Sequence, residues 1–261
     1  MIDFTVRPCE RADIPALAAL WQRTFGDCAE LTDEFYRLLP SMGTGFAAVC
    51  AGEVIGEAHL LTDLELISSG ERGALAYLYA VAVDDRFRGN GVGAALVSSA
   101  EAFARENSLI FCTEPAEESL FAWYESVSCL KYRAYCGQKT VPAAPGEITG
   151  ISAREYLARR DALSPDSTVR PGSAAAEFAQ SVCRIYGGGL FASPGGIVAA
   201  YPDGGVLKVC ELIGDEAAAS AAAYRLSLPA AQLRVLSPDG SAYLASDAAI
   251  APDVLWQMTF D

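Results

Sequence analysis

The sequence predicts an α/β (α+β) fold with a mixed, mostly antiparallel central sheet flanked by helices, followed by a second, smaller α+β domain. Three observations predict it. Apolar segments with the period of a strand alternate with segments that have the period of a helix along the 261 residues. A glycine-rich turn at residues 84–93 joins an apolar strand to a helix. A proline-rich break at residues 141–146 separates two halves with a similar order of elements.

The composition limits the possible partners and the location. A net charge of −14 disfavours binding to nucleic acid or to an anionic membrane, and it suits a cationic small molecule. No apolar run reaches the roughly 18 residues of a membrane span, and the N-terminus has the pattern of a strand rather than of a secretion signal. We therefore expect a cytoplasmic protein. The eight cysteines form no CxxC pair and the chain has one histidine, so no metal site is expected.

Local patterns place the elements of the first half, residues 1–140. The expected helices cover residues 14–25, 31–39, 94–107 and 117–126. The expected strands cover residues 2–7, 46–51, 54–67, 74–83, 109–113 and 132–138. Residues 41–45 read as a turn, and Gly52-Glu53 reads as a two-residue hairpin connection.

The second half, residues 151–261, follows a linker at 141–150. Helices are expected at residues 151–160, 174–186 and 215–226. Strands are expected at residues 190–193, 196–201, 206–213, 232–236, 243–245 and 254–260. Helices, hairpin strands, a helix and a strand thus recur in the order of the first half.

The most informative segment is the glycine turn. Gly89, Gly91 and Gly93 precede a helix with no side chain in the way, so a row of backbone N–H groups is exposed at the positive end of a helix dipole. This arrangement suits a phosphate-bearing ligand. A nucleotide triphosphatase loop is disfavoured because no Lys-Ser or Lys-Thr follows Gly93. A dinucleotide fingerprint should follow its strand directly, whereas five residues separate Val83 from Gly89. An ordinary strand-to-helix turn is the remaining alternative.

Arg88-x-x-Gly91-x-Gly93, preceded by Val81-x-Val83, resembles the acetyl-CoA-binding motif of the GNAT-type N-acetyltransferases. The order of elements over residues 1–140 is similar to the GNAT fold as well. The resemblance implies acetyl-CoA as the cofactor. No second such motif lies between Leu212 and Ala217, so residues 151–261 are expected to be a degenerate GNAT-like domain without a cofactor. A sterol-carrier-like α+β domain is the alternative for this region.

The resemblance also implies roles for individual residues. In the family, the end of the central strand splays from its neighbour and the pantetheine arm enters the gap. The backbone of Val81, Ala82 and Val83 would hydrogen-bond this arm. The pyrophosphate would be held by the amides of the loop and the helix start, namely Arg88, Gly89, Asn90, Gly91, Val92, Gly93 and Ala94. The Arg88 side chain would either contact the ligand or support the turn.

Tyr124 is the expected catalytic residue. In Leu-Phe-Ala-Trp-Tyr-Glu it occupies the position of the family tyrosine that protonates the leaving thiolate, although a packed aromatic is the alternative. Relatives usually continue with Gly-Phe, whereas this chain has Ser128-Cys129-Leu130. No carboxylate stands on the central strand to act as a base. Glu57, Asp63 and Glu65 precede it in the chain and could act directly or through water.

The acceptor pocket of this fold is usually lined by the first two helices and the hairpin. The residues expected to contact the substrate are Trp21, Phe25, Glu57 and His59, with Asp27, Glu30 and Phe35 as further candidates. The resemblance therefore implies transfer of an acetyl group from acetyl-CoA to a primary amine of a small molecule or peptide, by direct attack in a ternary complex. A non-catalytic acyl-CoA-binding sensor is the alternative, and an NAD-dependent oxidoreductase is third. A homodimer is compatible with the sequence.

Overall fold

The computed structural model describes residues 2–68, 71–163 and 168–248. Within them the chain divides into two compact units. The first unit comprises residues 2–64, 73–134 and 242–248, and the second comprises the described residues of 65–72 and 135–241. The domain boundary expected at residue 140 thus falls inside a strand, and the second unit takes up the chain from Tyr135.

The regular elements are numbered here along the chain. The helices are α1 (Ile14–Phe25), α2 (Ala29–Met42), α3 (Val92–Glu106), α4 (Ser119–Val127), α5 (Ala153–Leu163), α6 (Ser173–Ile185) and α7 (Ala217–Arg225). The strands are β1 (Thr5–Pro8), β2 (Gly43–Cys50), β3 (Glu53–Leu61), β4 (Leu64–Ser68), β5 (Glu71–Val83), β6 (Ile110–Thr113), β7 (Tyr132–Pro142), β8 (Thr149–Gly150), β9 (Thr168–Pro171), β10 (Gly189–Ser193), β11 (Gly196–Asp203), β12 (Val206–Gly214), β13 (Ala230–Leu236) and β14 (Ser241–Ser246).

The first unit is a mixed sheet in the order β1-β2-β3-β5-β6-β14. Its neighbouring strands are antiparallel except for β5 and β6, which are parallel and joined through α3. A parallel pair needs such a crossover connection, whereas β2 and β3, which are antiparallel, are joined by a turn of two residues. On one face, α3 and α4 cover a buried apolar core that includes Ala58, Leu78 and Phe121. On the other face, buried side chains of α1 and α2 such as Trp21 and Phe35 form an aromatic cluster.

Two irregularities change the course and the pairing of the central strand β5 near its end. Its register with β3 shifts between the pairs Glu57–Ala82 and His59–Tyr79, and Ala80 has a φ of +50°. This is a β-bulge, which bends a strand and changes where its backbone groups point. Among the described strand pairs, β6 accompanies β5 only over residues 75–78. Residues 79–83 therefore present backbone groups that β6 leaves unpaired.

The second unit repeats the pattern of the first. Its strands run in the order β7-β13-β12-β11-β10-β8, with β12 and β13 parallel and joined through α7. Its apolar core includes Phe191, Val198 and Leu207 together with the alanines of α7. The helices α5 and α6 precede β10 as α1 and α2 precede β2. The expected order from the first two helices of this half to the strand at 232–236 is therefore found, with β8 and β9 as additions, whereas the strand expected at 243–245 is β14 of the first unit.

Several expected boundaries differ from the structure. The single strand expected at 54–67 is divided into β3 and β4, because the amides of Thr62 and Asp63 both donate to the Met42 carbonyl and turn the chain. Residues 41–42 continue α2 instead of forming a turn, with Pro40 inside its last turn. The short strands β8 and β9 were not expected. The strand expected at 254–260 lies outside the described residues. In the described part of the chain, no helix has both the length and the apolar character of a membrane span.

Candidate active site

The loop between β5 and α3 is shaped by Asp84. Its Oδ1 accepts a hydrogen bond from the Arg86 backbone N–H at 3.1 Å and from Arg86 Nε at 3.0 Å, while its carbonyl accepts from the Phe87 N–H at 2.8 Å. These bonds close a turn of 3₁₀ helix at Asp85–Phe87. The hydrogen bonds from Arg86 lower the pKa of Asp84 to about 2, so this carboxylate is ionised at neutral pH.

Glycine is favoured at three positions after this turn, for two different structural reasons. Gly89 and Gly91 have φ values of +75° and +82°, in the left-handed region that disfavours side chains. Gly93 has an ordinary φ, but a Cβ there would lie 3.3 Å from the ring of Trp123. The loop thus reverses direction at its first two glycines and packs closely against α4 at the third.

The first turn of α3 is free to bind an anion. Gly91 is its N-cap, and no side chain of the described residues caps it. The first N–H groups of a helix have no partner within the helix, and they lie at the positive end of its dipole. The amides of Val92, Gly93 and Ala94 are therefore donors at the end of a 15-residue helix.

These amides face a cavity of about 690 Å³. Its walls come from the end of α1, the end of β5, the glycine loop, the start of α3 and one side of α4. The lining residues are Thr24, Phe25, Val81, Ala82, Val83, Phe87, Arg88, Gly89, Gly91, Val92, Gly93, Ala94, Ala116, Glu117, Leu120, Trp123 and Tyr124. Nine of the ten expected cofactor residues and Tyr124 lie in this lining, and Asn90 does not.

Asn90 and Arg88 brace the loop. The Asn90 side-chain amide donates to the carbonyls of Phe87 and Arg88, each at 3.2 Å. The Arg88 guanidinium donates to the Val83 carbonyl at 3.2 Å and lies 2.9 Å from an Asp85 carboxylate oxygen. The Arg88 side chain therefore supports the turn in this structure.

Tyr124 is largely buried, with 7% of its surface exposed, and lines the cavity from α4. Its ring contacts Trp123 edge-on, with centroids 4.7 Å apart. The Ser128 hydroxyl donates to the Tyr124 carbonyl at 2.6 Å and ends the helix. Ser128 of the segment that departs from Gly-Phe thus ends α4, and Tyr124 lines the cavity.

The residues expected to contact the acceptor separate into two groups. Phe25 is 44% exposed and lines the cavity. Trp21, Glu57 and His59 are enclosed and do not line it, because the pairing of β3 with β5 turns the side chains of Glu57 and His59 towards α1 and α2. The indole of Trp21 donates to Asp27 Oδ2 at 2.7 Å, which holds the turn after α1.

Glu57 and His59 form a buried polar cluster with Tyr36 of α2. The Tyr36 hydroxyl donates to Glu57 Oε2 at 2.6 Å, and His59 Nε2 lies 3.0 Å from the same oxygen. Glu57 Oε1 and His59 Nδ1 are buried without a hydrogen-bond partner among the described residues. Burial raises the pKa of the nearby Cys9 thiol to about 12, and burial together with Glu57 raises the pKa of Tyr36 well above its ordinary value.

Sequence reasoning missed Tyr36, Asp84 and Trp123 as parts of these sites. Tyr36 has the helical spacing of a core residue, and only its contact across 21 positions with Glu57 reveals its role. Asp84 did carry a local signal, because an aspartate two residues before an arginine in a tight turn often accepts backbone N–H bonds. Trp123 matched the family pattern only as the neighbour of Tyr124.

Known proteins are similar to this chain in sequence over one segment and in fold over most of its length. Residues 14–127 match the family described as Acetyltransferase (GNAT) family. No curated protein matches the chain. Among solved structures, a GCN5-related N-acetyltransferase from Kribbella flavida superposes with a TM-score of 0.66 at 16% identity, over 94% of this chain and 70% of that one.

Two further structures align over nearly the whole chain. A conserved protein of Enterococcus faecalis V583, described as a probable N-acyltransferase, gives a TM-score of 0.70 at 13% identity, over 94% of this chain and 72% of its own. Eis1 from Mycobacterium abscessus gives 0.64 at 15% identity, over 93% and 73%. Because the alignments extend through both units, the second half also shares its fold with these structures. Residues 14–127 therefore match the GNAT acetyltransferase family, in a chain that shares its fold over most of its length with these solved structures.

Proposed function

We propose that this protein transfers an acetyl group from acetyl-CoA to a primary amine of a small molecule or peptide, by direct attack in a ternary complex. The observation that carries the proposal is a cavity bounded at one end by uncapped amides of α3 and along one side by the unpaired edge of β5. A pyrophosphate fits the first feature because it needs several N–H donors and a positive dipole. The amide-bearing pantetheine arm fits the second because it can pair with strand backbone.

The proposed cofactor contacts follow from this fit. The amides from Arg88 to Ala94 would bind the pyrophosphate, and the backbone of residues 81–83 would bind the pantetheine arm. In the same cavity, Val81, Leu120 and Trp123 supply apolar surface for the methylene groups of that arm. The thioester would then lie between the bulge at Ala80 and Tyr124.

Acetyl transfer from a thioester to an amine requires few catalytic groups from the protein. A neutral amine attacks the thioester carbonyl, the tetrahedral intermediate collapses, and the leaving thiolate takes a proton. Tyr124 is the proposed donor of that proton because it lines the same cavity as the end of β5. Phe25, exposed at the mouth of the cavity, is the proposed contact for the acceptor.

A matched pair of glycine variants tests the cofactor site. Gly91 and Gly52 have φ values of +82° and +83°, and a Cβ at either would meet no other atom within 4 Å. Alanine therefore introduces the same backbone strain at both, about 1 kcal/mol. Only Gly91 lines the cavity, so Gly91→Ala should weaken CoA binding by about tenfold or more, whereas Gly52→Ala should leave it unchanged. Equal effects would contradict the site.

Activity is tested by acetyl-CoA-dependent thiol release with a panel of primary amines. We expect turnover by the wild-type protein and a loss of about 10²-fold in kcat for Tyr124→Phe, with CoA affinity retained, because a positioned acid contributes about that much. Unchanged turnover by Tyr124→Phe would exclude Tyr124 as the acid. Tight CoA binding without turnover of any amine would favour an acyl-CoA sensor.

A further inference from the structure

We propose that the acceptor is a peptide, with its amino terminus in the cofactor cavity and its following residues along α1. These residues would lie in the α1 groove, which is bounded by α1, by the turn between β2 and β3, and by the turn after β5. This inference rests on the proposed function, and it chooses a peptide among the amines that the proposed function allows.

The α1 groove consists of two cavities that follow the cofactor cavity along α1. The nearer one, of about 300 Å³, shares three lining residues with the cofactor cavity, namely Thr24, Val83 and Arg88. The farther one, of about 560 Å³, shares Arg23 and Asp84 with the nearer one and extends to Ala12, just before α1. Because neighbouring cavities share lining residues, a ligand that begins in the cofactor cavity can continue into the groove.

The length of the groove favours a chain molecule over a small amine. At about 1.5 Å per residue, residues 12–25 span about 20 Å along the helix axis. An extended peptide advances about 3.3 Å per residue, so about six residues match this length. A small amine would occupy the cofactor cavity alone and would make no use of the groove.

The charges of the groove disfavour a polyamine, although the whole chain is acidic. Four carboxylates line the two cavities, those of Asp13, Glu53, Asp84 and Asp85. Each lies 3.0 Å or less from a guanidinium nitrogen, supplied by Arg7, Arg86, Arg86 and Arg88 respectively. Arg23 adds a further guanidinium 3.4 Å from Asp84. Four arginines thus balance four carboxylates, so the groove suits a chain of little net charge better than a polycation.

The start of β3 offers backbone groups to such a chain. The Asp84 N–H donates to the Ile55 carbonyl at 3.0 Å, where the chain of β5 turns away from β3. Among the described strand pairs, Glu53 and Val54 therefore have a partner strand only on the side of β2. Both residues line the groove. An extended peptide can pair with an open strand edge through its main chain, whereas a small amine has no such groups.

The side of the groove formed by α1 can be altered without disturbing the core. Three exposed alanines line it, namely Ala12, Ala16 and Ala19. The buried side of the same helix carries Leu17, Leu20 and Trp21. Ala16 lies between the other two alanines, so a large side chain there would fill the groove. Because the position is exposed, the substitution removes no buried contact.

The test measures kcat/KM for propylamine, spermidine and uncharged-side-chain peptides of two, four, six and eight residues with a free amino terminus. For the wild-type protein, kcat/KM should rise about tenfold or more from the dipeptide to the hexapeptide and then level off, and the hexapeptide should exceed spermidine. Ala16→Trp should lower the value about tenfold for the hexapeptide and less than about twofold for propylamine. Ala162→Trp, at an exposed alanine of α5, is the matched control and should change neither. CoA affinity should be equal in all three proteins.

Three results would overturn the α1 groove as the acceptor site while leaving acetyl transfer intact. They are a kcat/KM that does not depend on peptide length, a higher kcat/KM for spermidine than for the hexapeptide, and an equal effect of Ala16→Trp on the hexapeptide and on propylamine. Weaker CoA binding by Ala16→Trp would assign the groove to the nucleotide of the cofactor and would overturn the inference too. Absence of turnover of every amine by the wild-type protein, with CoA bound, would instead refute the proposed function and this inference with it.

Discussion

The two units solve the same strand-to-helix connection differently. In the first unit, residues 84–91 lead from β5 into α3, whose N-cap is Gly91 and which has no side-chain cap among the described residues. In the second unit, β12 ends at Gly214 and α7 begins after Asp215 and Glu216. Asp215 Oδ1 accepts the Ala217 N–H at 2.9 Å, and Glu216 is paired with Lys139 at 2.7 Å. Carboxylates thus occupy the helix start that would otherwise attract a phosphate.

A second contrast concerns the buried carboxylates. Glu211 of β12 is bonded at both oxygens, by the Tyr156 hydroxyl at 2.6 Å and by the Arg160 guanidinium at 2.8 Å. Glu57 of β3 is bonded at one oxygen. Arg160 is held further by Thr168 and the Val169 carbonyl. In the second unit, carboxylates therefore lie at the start of α7, and both oxygens of Glu211 are hydrogen-bonded. In the first unit, no side chain of the described residues caps α3, and Glu57 Oε1 has no hydrogen-bond partner among them. The difference indicates that the second unit is stabilised by side-chain contacts at positions where the first unit lacks them among the described residues.

The largest expected effect is a loss of stability when the buried Glu211 carboxylate loses its Arg160 partner. Arg160→Ala leaves Glu211 as an unpaired buried charge and should lower the free energy of unfolding by about 3–5 kcal/mol. Arg170→Ala breaks a half-exposed pair with Asp161 in the same unit and should cost at most about 1 kcal/mol. Urea unfolding of both variants measures the difference. Similar losses would show that the buried pair does not stabilise the unit more than its surface counterpart.

The next prediction concerns a variant in which α3, like α7, has an aspartate at its start. Gly91→Asp places a carboxylate at the helix start and adds backbone strain, so CoA affinity should fall by about 10²-fold or more, which corresponds to roughly 3 kcal/mol. Gly91→Ala separates the contribution of strain from that of charge. Titration calorimetry provides both values. An affinity for Gly91→Asp equal to that of Gly91→Ala would mean that charge at the helix start is unimportant.

A smaller effect concerns the turn that positions the glycine loop. Because the folded-state pKa of Asp84 is depressed to about 2, its stabilisation is fully present above the unfolded value of 3.8 and disappears as the pH falls through 2. We expect melting temperature to show this loss between about pH 4 and pH 2. Asp84→Asn should remove that component of the acid dependence and should weaken CoA binding about fivefold at neutral pH. An acid dependence identical to the wild type would contradict the role of Asp84.

The smallest effect tests the second helix start directly. Asp215→Ala removes a carboxylate acceptor from the first turn of α7 and should lower stability by about 0.5–1 kcal/mol. No CoA site should appear, because α7 lacks the preceding loop with its two left-handed glycines. Binding of a second CoA molecule by this variant would show that the acidic cap alone separates the two units.

Local chemistry explains what the sequence could predict. The glycine loop, the helix after it and the helix that carries Tyr124 are specified by neighbouring residues, so their sequence pattern was sufficient to predict their place in the fold. The division of 54–67 into two strands depends on the Met42 carbonyl, and the enclosure of Trp21, Glu57 and His59 depends on pairing between strands. Contacts between residues distant in sequence leave no periodic signal, and for this reason Tyr36 was missed and Glu57 was expected at the substrate surface.

The measurement that tests the central claim most directly is a calorimetric titration of the wild-type chain with CoA, beside Gly91→Asp and Asp215→Ala. One CoA per chain is expected, with binding lost or weakened about 10²-fold in Gly91→Asp and unchanged in Asp215→Ala. Two CoA molecules per wild-type chain would contradict a single phosphate site in the first unit. Undiminished binding by Gly91→Asp would place the site elsewhere than at the start of α3.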